Sequence, residues 1–192
     1  VLCVFLVGRM VAILPHFHIL AMLNIMLLTT LRVFIAIMLS LVIFIPVGVW
    51  LSLSSKRLRY ASPFLQVAAA LPPDIMYPIM AILLIHFKQS LTWWCIPLIM
   101  LGTQWYILFN VIAGMQSLST DIYDLKSVFS LKGYYYWRYI IIPGLFPSIM
   151  TGVISAAGGA WNADVTAELI QWGSHILITP GLGSYIAQSD TH

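Results

Sequence analysis

"VFIAIMLSLVIFIPVGVWLSLSS", residues 33–55, runs for 23 residues without a charged side chain. A helix needs about 20 apolar residues to cross a hydrocarbon core roughly 30 Å thick, so this stretch alone is long enough to span a bilayer. The rest of the chain agrees: 61% of the 192 residues are apolar and 8% charged, whereas about 25% are charged in an ordinary soluble domain. The sequence is that of a membrane protein, with room for five or six spans. Its net charge of +3 is small and says nothing about nucleic acid, and no nucleic-acid partner is expected. Cys3 and Cys95 lie in apolar runs without metal-site spacing, and no disulfide is expected.

Outward from this stretch, the uncharged runs predict four spans, at about 19–54, 60–87, 92–113 and 139–164. The first exceeds what a bilayer requires and is expected to tilt. The second carries Pro63, Pro72, Pro73 and Pro78 as well as Asp74. It must be broken, because internal prolines remove backbone hydrogen bonds that lipid cannot replace. The fourth is rich in small residues, "TGVISAAGGA", which let helices approach closely. An apolar stretch at 1–14 is read as a partial N-terminal span, 15–192 as the core, and 173–192 as an outer glycine-rich loop. The chain is expected to be truncated at both ends.

Charge orients these spans. Lys56, Arg57 and Arg59 fall in one loop, and Lys126, Lys132 and Arg138 in another two spans later. The excess of Lys and Arg on cytoplasmic loops assigns both to the cytoplasm. Asp74 lies within a span, where a carboxylate costs about 2.5–3.5 kcal/mol, so it is expected to face a cavity or to cap the broken helix. Asn162, Asp164 and Glu168 close the fourth span on its outer side, as a substrate mouth or a solvated helix end. Arg32 is expected to snorkel to the interface. No histidine has metal-ligand spacing, and neither metal nor cofactor is expected.

One polar stretch stands out, "DLKSVFSLKGYYYWRYIIIPG", residues 124–144. It resembles the cytoplasmic loop of binding-protein-dependent ABC importer permeases, whose pattern is Glu-Ala-Ala, three residues, Gly, nine residues, Ile, any residue, Leu, Pro. Asp124 stands at the Glu position, Leu125 and Lys126 at the alanines, Ser130 at Gly, Ile140 at Ile, Ile142 at Leu and Pro143 at Pro. Gly133 is an alternative source of the turn. "TTLRVFIAIMLSLVIFIPVGVWLSL", "PFLQVAAALPPDIMYPI", "GGAWNADVTAELI" and "TPGLGSYIAQ" extend the likeness over about residues 20–188, nearest to the nitrate, sulfonate and taurine type, including a branch with two fused permease units.

The resemblance implies an all-α polytopic transmembrane helix bundle of the type I ABC importer permease kind, in a bacterial inner membrane. It makes residues of about 114–138 a cytoplasmic coupling loop that docks on ABC ATPase subunits, with Tyr135, Trp137 and Arg138 as anchors. The other implied partners are a second permease unit, as a homodimer or a fused half, a periplasmic or lipid-anchored binding protein, and the lipid bilayer. The implied substrate is a small anion such as nitrate, sulfonate or taurine. The chain has no phosphate-cradling glycine motif and no catalytic constellation, so it is expected to be a transport subunit rather than an enzyme. The alternative is an ion-coupled secondary transporter or a channel subunit, which has no use for a basic, aromatic cytoplasmic loop.

Overall fold

The structure, a computed structural model, describes residues 19–118, 133–173 and 175–189. The expected partial span at 1–14 and Asp124, Leu125, Lys126 and Ser130 lie outside the described residues.

Helix α1, Ile19–Ser52, has 34 residues, about 50 Å at 1.5 Å per residue. After a short link come α2, Ser55–Ala70, a 3₁₀ turn at Pro73–Ile75, and α3, Met76–Phe87. These two helices meet at a bend of 75°. Pro72 is extended, at φ −64° and ψ 135°, and cannot continue α2, while Pro73 starts the next turn, where its missing N–H is not needed. Lys88, at φ 51°, ends α3 in the left-handed region. Ser90 then caps α4, Leu91–Ser117, by accepting a hydrogen bond from the Thr92 N–H at 3.3 Å.

The last long helical run covers Tyr134–Ala167. It comprises a first turn, Tyr134–Tyr136, a π segment, Trp137–Ile141, and α5, Ile142–Ala167. In the π segment the Ile142 N–H reaches the Trp137 carbonyl five residues back. The widening falls just before Pro143, whose ring would collide with the carbonyl four residues back in a regular helix.

Helix α4 lies at the centre, packed along α1 on one side and α5 on the other. One part of the core joins Val33, Ala36 and Ile37 of α1 to Cys95, Leu98 and Ile99 of α4 and Ala160 of α5. At the other end Val49 meets Val111, Met115, Tyr136, Ile140 and Leu145. Close approach replaces large apolar contacts as the source of cohesion, since lipid is as apolar as leucine and does not drive helices together. Gly102 faces Ala163 and the Gly159 carbonyl, and Gly114 faces Ser148 and Leu145. Ser40 and Thr103, both fully buried, share a 3.0 Å hydrogen bond between α1 and α4. Large apolar side chains on the outer faces, such as Leu27, Val42 and Ile154, are exposed, as a lipid environment requires.

The stretch expected as a glycine-rich loop is corrected by the structure. Strands β1, Leu169–Trp172, and β2, His175–Ile178, form an antiparallel hairpin in which Trp172 pairs with His175. Gly173 turns the chain at φ 59°, a conformation in which glycine has no steric penalty. Helix α6, Leu182–Ser189, follows. Alternation over four residues per strand is too short a signal to emerge beside a long apolar helix.

A side chain at Gly114 would place Cβ 2.6 Å from Ser148 Oγ and 2.9 Å from Leu145 Cδ2. Gly114→Leu is expected to force α4 from α5 and to lower stability in detergent by about 1–3 kcal/mol, the usual cost of overpacking. Gly158→Ala, whose Cβ meets nothing within 4 Å, is the control and is expected to leave the unfolding midpoint unchanged.

Candidate functional site

Three groups of polar residues carry the chemistry of the fold. The first is a buried ion pair. Arg32 extends from α1 and donates from Nη1 to Glu168 Oε1 at 2.9 Å and to the Pro180 carbonyl at 2.9 Å, and from Nη2 to Thr179 Oγ1 at 3.0 Å. Glu168 caps the end of α5 and is fully buried. Its Oε1 also accepts from Thr29 Oγ1 at 2.7 Å, and its Oε2 accepts from the N–H groups of Gly183 at 2.6 Å and Ser184 at 3.3 Å. The expected snorkelling of Arg32 is therefore corrected: the guanidinium faces inward because a carboxylate and a carbonyl await it there. Glu168 is likewise not a solvated helix end. A Cβ at Gly181 would overlap the Glu168 carboxylate, so only glycine lets the chain pass this close.

Asp164, one turn earlier on the same face of α5, is also fully buried, and among the described residues neither of its carboxylate oxygens has a hydrogen-bond partner. The neighbouring cation is already committed to Glu168. Among the described residues, neither Asp164 nor Glu168 is part of the lining of the two cavities beside the helix break. Burying Arg32 and Glu168 as a pair leaves each satisfied, whereas removing one partner strands the other.

The second group lines a cavity of about 530 Å³ beside the helix break. Asp74, in the 3₁₀ turn, stands at its edge with Asn162 of α5, so the structure brings these two predicted residues together. Asp74 is exposed, and its backbone carbonyl accepts the Met76 N–H that closes the turn. Tyr77, Trp105 and Tyr106 form the wall. The Tyr77 hydroxyl is held by Thr166 Oγ1 at 3.0 Å and by the Ala163 carbonyl at 3.2 Å. Gly159 lets the Tyr106 ring lie flush, since a Cβ there would come within 2.7 Å of it. A second cavity of about 530 Å³ shares Asp74, Tyr77 and Thr166. Among the described residues no group of three His, Cys, Asp or Glu side chains converges on a metal site.

The third group is the described end of the 124–143 stretch. Gly133, at φ 57°, precedes the first helical turn. Tyr135 and Arg138 are exposed and Trp137 is half-buried. Tyr135 and Tyr139 stack with ring centroids 6.2 Å apart and planes 4° from parallel. Ile140 is buried against Val49 and Met115, and so anchors the segment to the bundle. Pro143 is exposed at the start of α5. The basic residues of α2 lie at the same end of the bundle, where Arg57 covers the Trp50 ring at 4.4 Å and Leu58 packs near Leu51 and Ile112.

Long apolar helices around a buried ion pair, with an aromatic segment at one end and a cavity at a broken helix, define a polytopic helical membrane protein. The chain matches the family described as binding-protein-dependent transport system inner membrane component over residues 44–190, and it belongs to that family. It is 28% identical over 142 residues to the nitrate import permease protein NrtB of Leptolyngbya laminosa, covering 74% of this chain and 50% of that protein. It is 28% identical over 159 residues to the taurine transport system permease protein TauC of Escherichia coli K12, covering 82% of this chain and 54% of that protein. The bicarbonate transport system permease protein CmpB of Synechococcus elongatus is 26% identical over 132 residues, covering 69% of this chain and 46% of that protein. The chain thus spans about half the length of the curated relatives it matches.

The Arg32–Glu168 pair was missed from sequence, although a signal existed. Arginine and glutamate isolated in apolar segments are each costly in a bilayer unless they meet. Arg32→Met is expected to lower stability by about 3–5 kcal/mol through the stranded Glu168 carboxylate, and Arg32→Met with Glu168→Gln by less than the sum of the single changes. Asp164→Asn, which removes a carboxylate that has no partner, is expected to be neutral or stabilising. Unfolding in detergent monitored by circular dichroism measures all four variants.

Proposed function

We propose that the protein is the membrane-spanning permease subunit of an ATP-driven, binding-protein-dependent importer. In this reading two permease units line the pathway, cytoplasmic ABC ATPases supply the energy, and a periplasmic or lipid-anchored protein delivers a small anionic or zwitterionic solute. The observation that carries it is the family match over residues 44–190 together with the spacing from Asp124 to Pro143 within that range. The relatives named for nitrate, bicarbonate and taurine support a small polar solute. ATP hydrolysis belongs to a partner chain, since this sequence has no phosphate-cradling glycine motif.

In this reading the segment at 124–143 is the coupling element. Tyr135 and Arg138 are free to meet a partner, while Ile140 is tied into the α1–α4–α5 core. Movement of the docked segment is thereby passed to the α5 helix that lines the cavity. Alternating access follows as a population shift, with nucleotide binding favouring one arrangement of the helices and hydrolysis releasing it.

Two outcomes test the reading. In the full-length complex, Ser130→Glu or Tyr135→Ala with Trp137→Ala is expected to insert normally yet lose ATPase co-purification and substrate-stimulated hydrolysis. An interface anchor is worth about 2 kcal/mol or more, and 2.8 kcal/mol weakens association about a hundredfold. Normal coupled hydrolysis in both variants would favour the carrier reading. For orientation, a membrane-impermeant thiol reagent is expected to label cysteines introduced at the exposed Ser90 and Gln171 from outside, but not one at Ser55. External labelling at Ser55 would reverse the topology and remove the ATPase contact.

A further inference from the structure

The cavity at the helix break has a charge that ill suits an inorganic anion. Asp74 is the only ionisable acid or base of formal charge among the residues lining it, and the same holds for the second cavity that shares its edge. Among the described residues no lysine, arginine or histidine lines either one. The one buried arginine nearby in the fold, Arg32, is committed to Glu168, Pro180 and Thr179 and cannot turn to meet an anion without stranding that carboxylate. Around Asp74 the wall is aromatic, from Tyr77, Trp105, Tyr106 and Phe109, with the Asn162 amide opposite on α5. The Tyr77 hydroxyl is already bonded to Thr166 and Ala163, which fixes the ring.

A carboxylate beside several aromatic rings is the pattern that recognises an organic ammonium. The carboxylate supplies a counter-charge, and ring faces attract cations through their quadrupole. The same carboxylate repels a nitrate or a simple sulfonate. Asp74 also sits where such a group is needed: a charge exposed at a break within apolar helices is costly unless it serves a pathway or finds a partner, and no partner bonds to it among the described residues.

We infer that the cavity bounded by Asp74, Trp105 and Tyr106 admits a small solute bearing a protonated amine, with Asp74 as its counter-ion and the aromatic rings as its walls. The inference rests on the importer reading and narrows its solute class. Of the solutes considered, an aminosulfonate zwitterion fits and an inorganic anion does not. The Asn162 amide, whose Nδ2 donates to the Gly158 carbonyl at 3.1 Å, keeps its Oδ1 as an acceptor for a second amine proton.

The test uses the full-length permease complex in lipid nanodiscs and two matched pairs of probes, taurine against ethanesulfonate and choline against 3,3-dimethylbutanol. Binding is read by thermal stabilisation as a function of probe concentration. In at least one pair the ammonium member is expected to bind at least tenfold more tightly than its amine-free partner. Asp74→Asn is expected to abolish that preference and Asp74→Glu to keep it, while Trp105→Leu weakens the ammonium member alone. A preference in neither pair, or one that survives Asp74→Asn, overturns the inference. The nanodiscs are made with phosphatidylglycerol alone and again with phosphatidylethanolamine. If the amine lipid stabilises the permease through Asp74 and removes the preference for soluble ammonium probes, the cavity holds a lipid headgroup and the solute inference is overturned. ATP-dependent uptake in proteoliposomes separates the two levels: nitrate uptake without ammonium binding sinks this inference alone, and ammonium binding without any ATP-dependent uptake sinks the importer reading while leaving the site.

Discussion

A charge inside a lipid-embedded bundle has no water to fall back on, and the Arg32–Glu168 pair is where this constraint shapes the fold. Glu168 receives donors from Arg32, Thr29, Gly183 and Ser184, drawn from α1 and from the start of α6. Arg32 in turn binds Thr179 and Pro180 beyond the hairpin. The far C-terminal elements are thus held to α1 by groups that must stay together or leave both charges uncompensated. Thr179 continues the chain of contacts to Thr92 at 3.2 Å, so the start of α4 is fixed by the same network. Alternatives that place the hairpin elsewhere would expose a buried ion to hydrocarbon.

Backbone hydrogen bonding applies the same rule at two other places. At Pro72 and Pro73 regular helix is impossible, and the chain bends by 75° beside the cavity that holds Asp74. Before Pro143 the helix widens into a π segment, next to the aromatic surface proposed to meet an ATPase. Irregular backbone is tolerated at membrane depth only where protein or a cavity satisfies it. Both irregularities fall beside the proposed working parts. The break leaves an exposed carboxylate at the cavity, and the widened turn lies between an exposed Tyr135–Tyr139 stack and a buried Ile140.

Small residues set how far these parts can move independently. Gly102 and Gly159 bring α4 and α5 into backbone contact at the cavity, and Gly114 makes room for the Ser148 and Leu145 side chains nearer the start of α5. A shift of α5 at one end is therefore carried along a closely packed pair to the other. Such contacts deform little, which suits a subunit that switches between discrete arrangements.

The sequence by itself determined that the chain is a membrane protein of long apolar helices, where the helices break, and which segment resembles a coupling loop. Those properties are local: the absence of charge over 33–55, the prolines at 72 and 73, and the spacing from Asp124 to Pro143 are visible without knowing what lies nearby in space. Only the tertiary structure decided the roles of the isolated polar residues. Arg32 and Glu168 are 136 positions apart, and nothing in either neighbourhood says that each is the other's counter-ion. Asp164 and Asn162 stand two positions apart on one helix, yet one is buried without a bonding partner and the other lines the cavity with Asp74. The hairpin at 169–178 also escaped, because its strands owe their form to the Thr179 N–H held by the Glu168 carbonyl and to the ion pair beside it rather than to a pattern of their own. Periodicity reports how one segment faces its surroundings; which charge meets which in a low dielectric is settled when the helices pack.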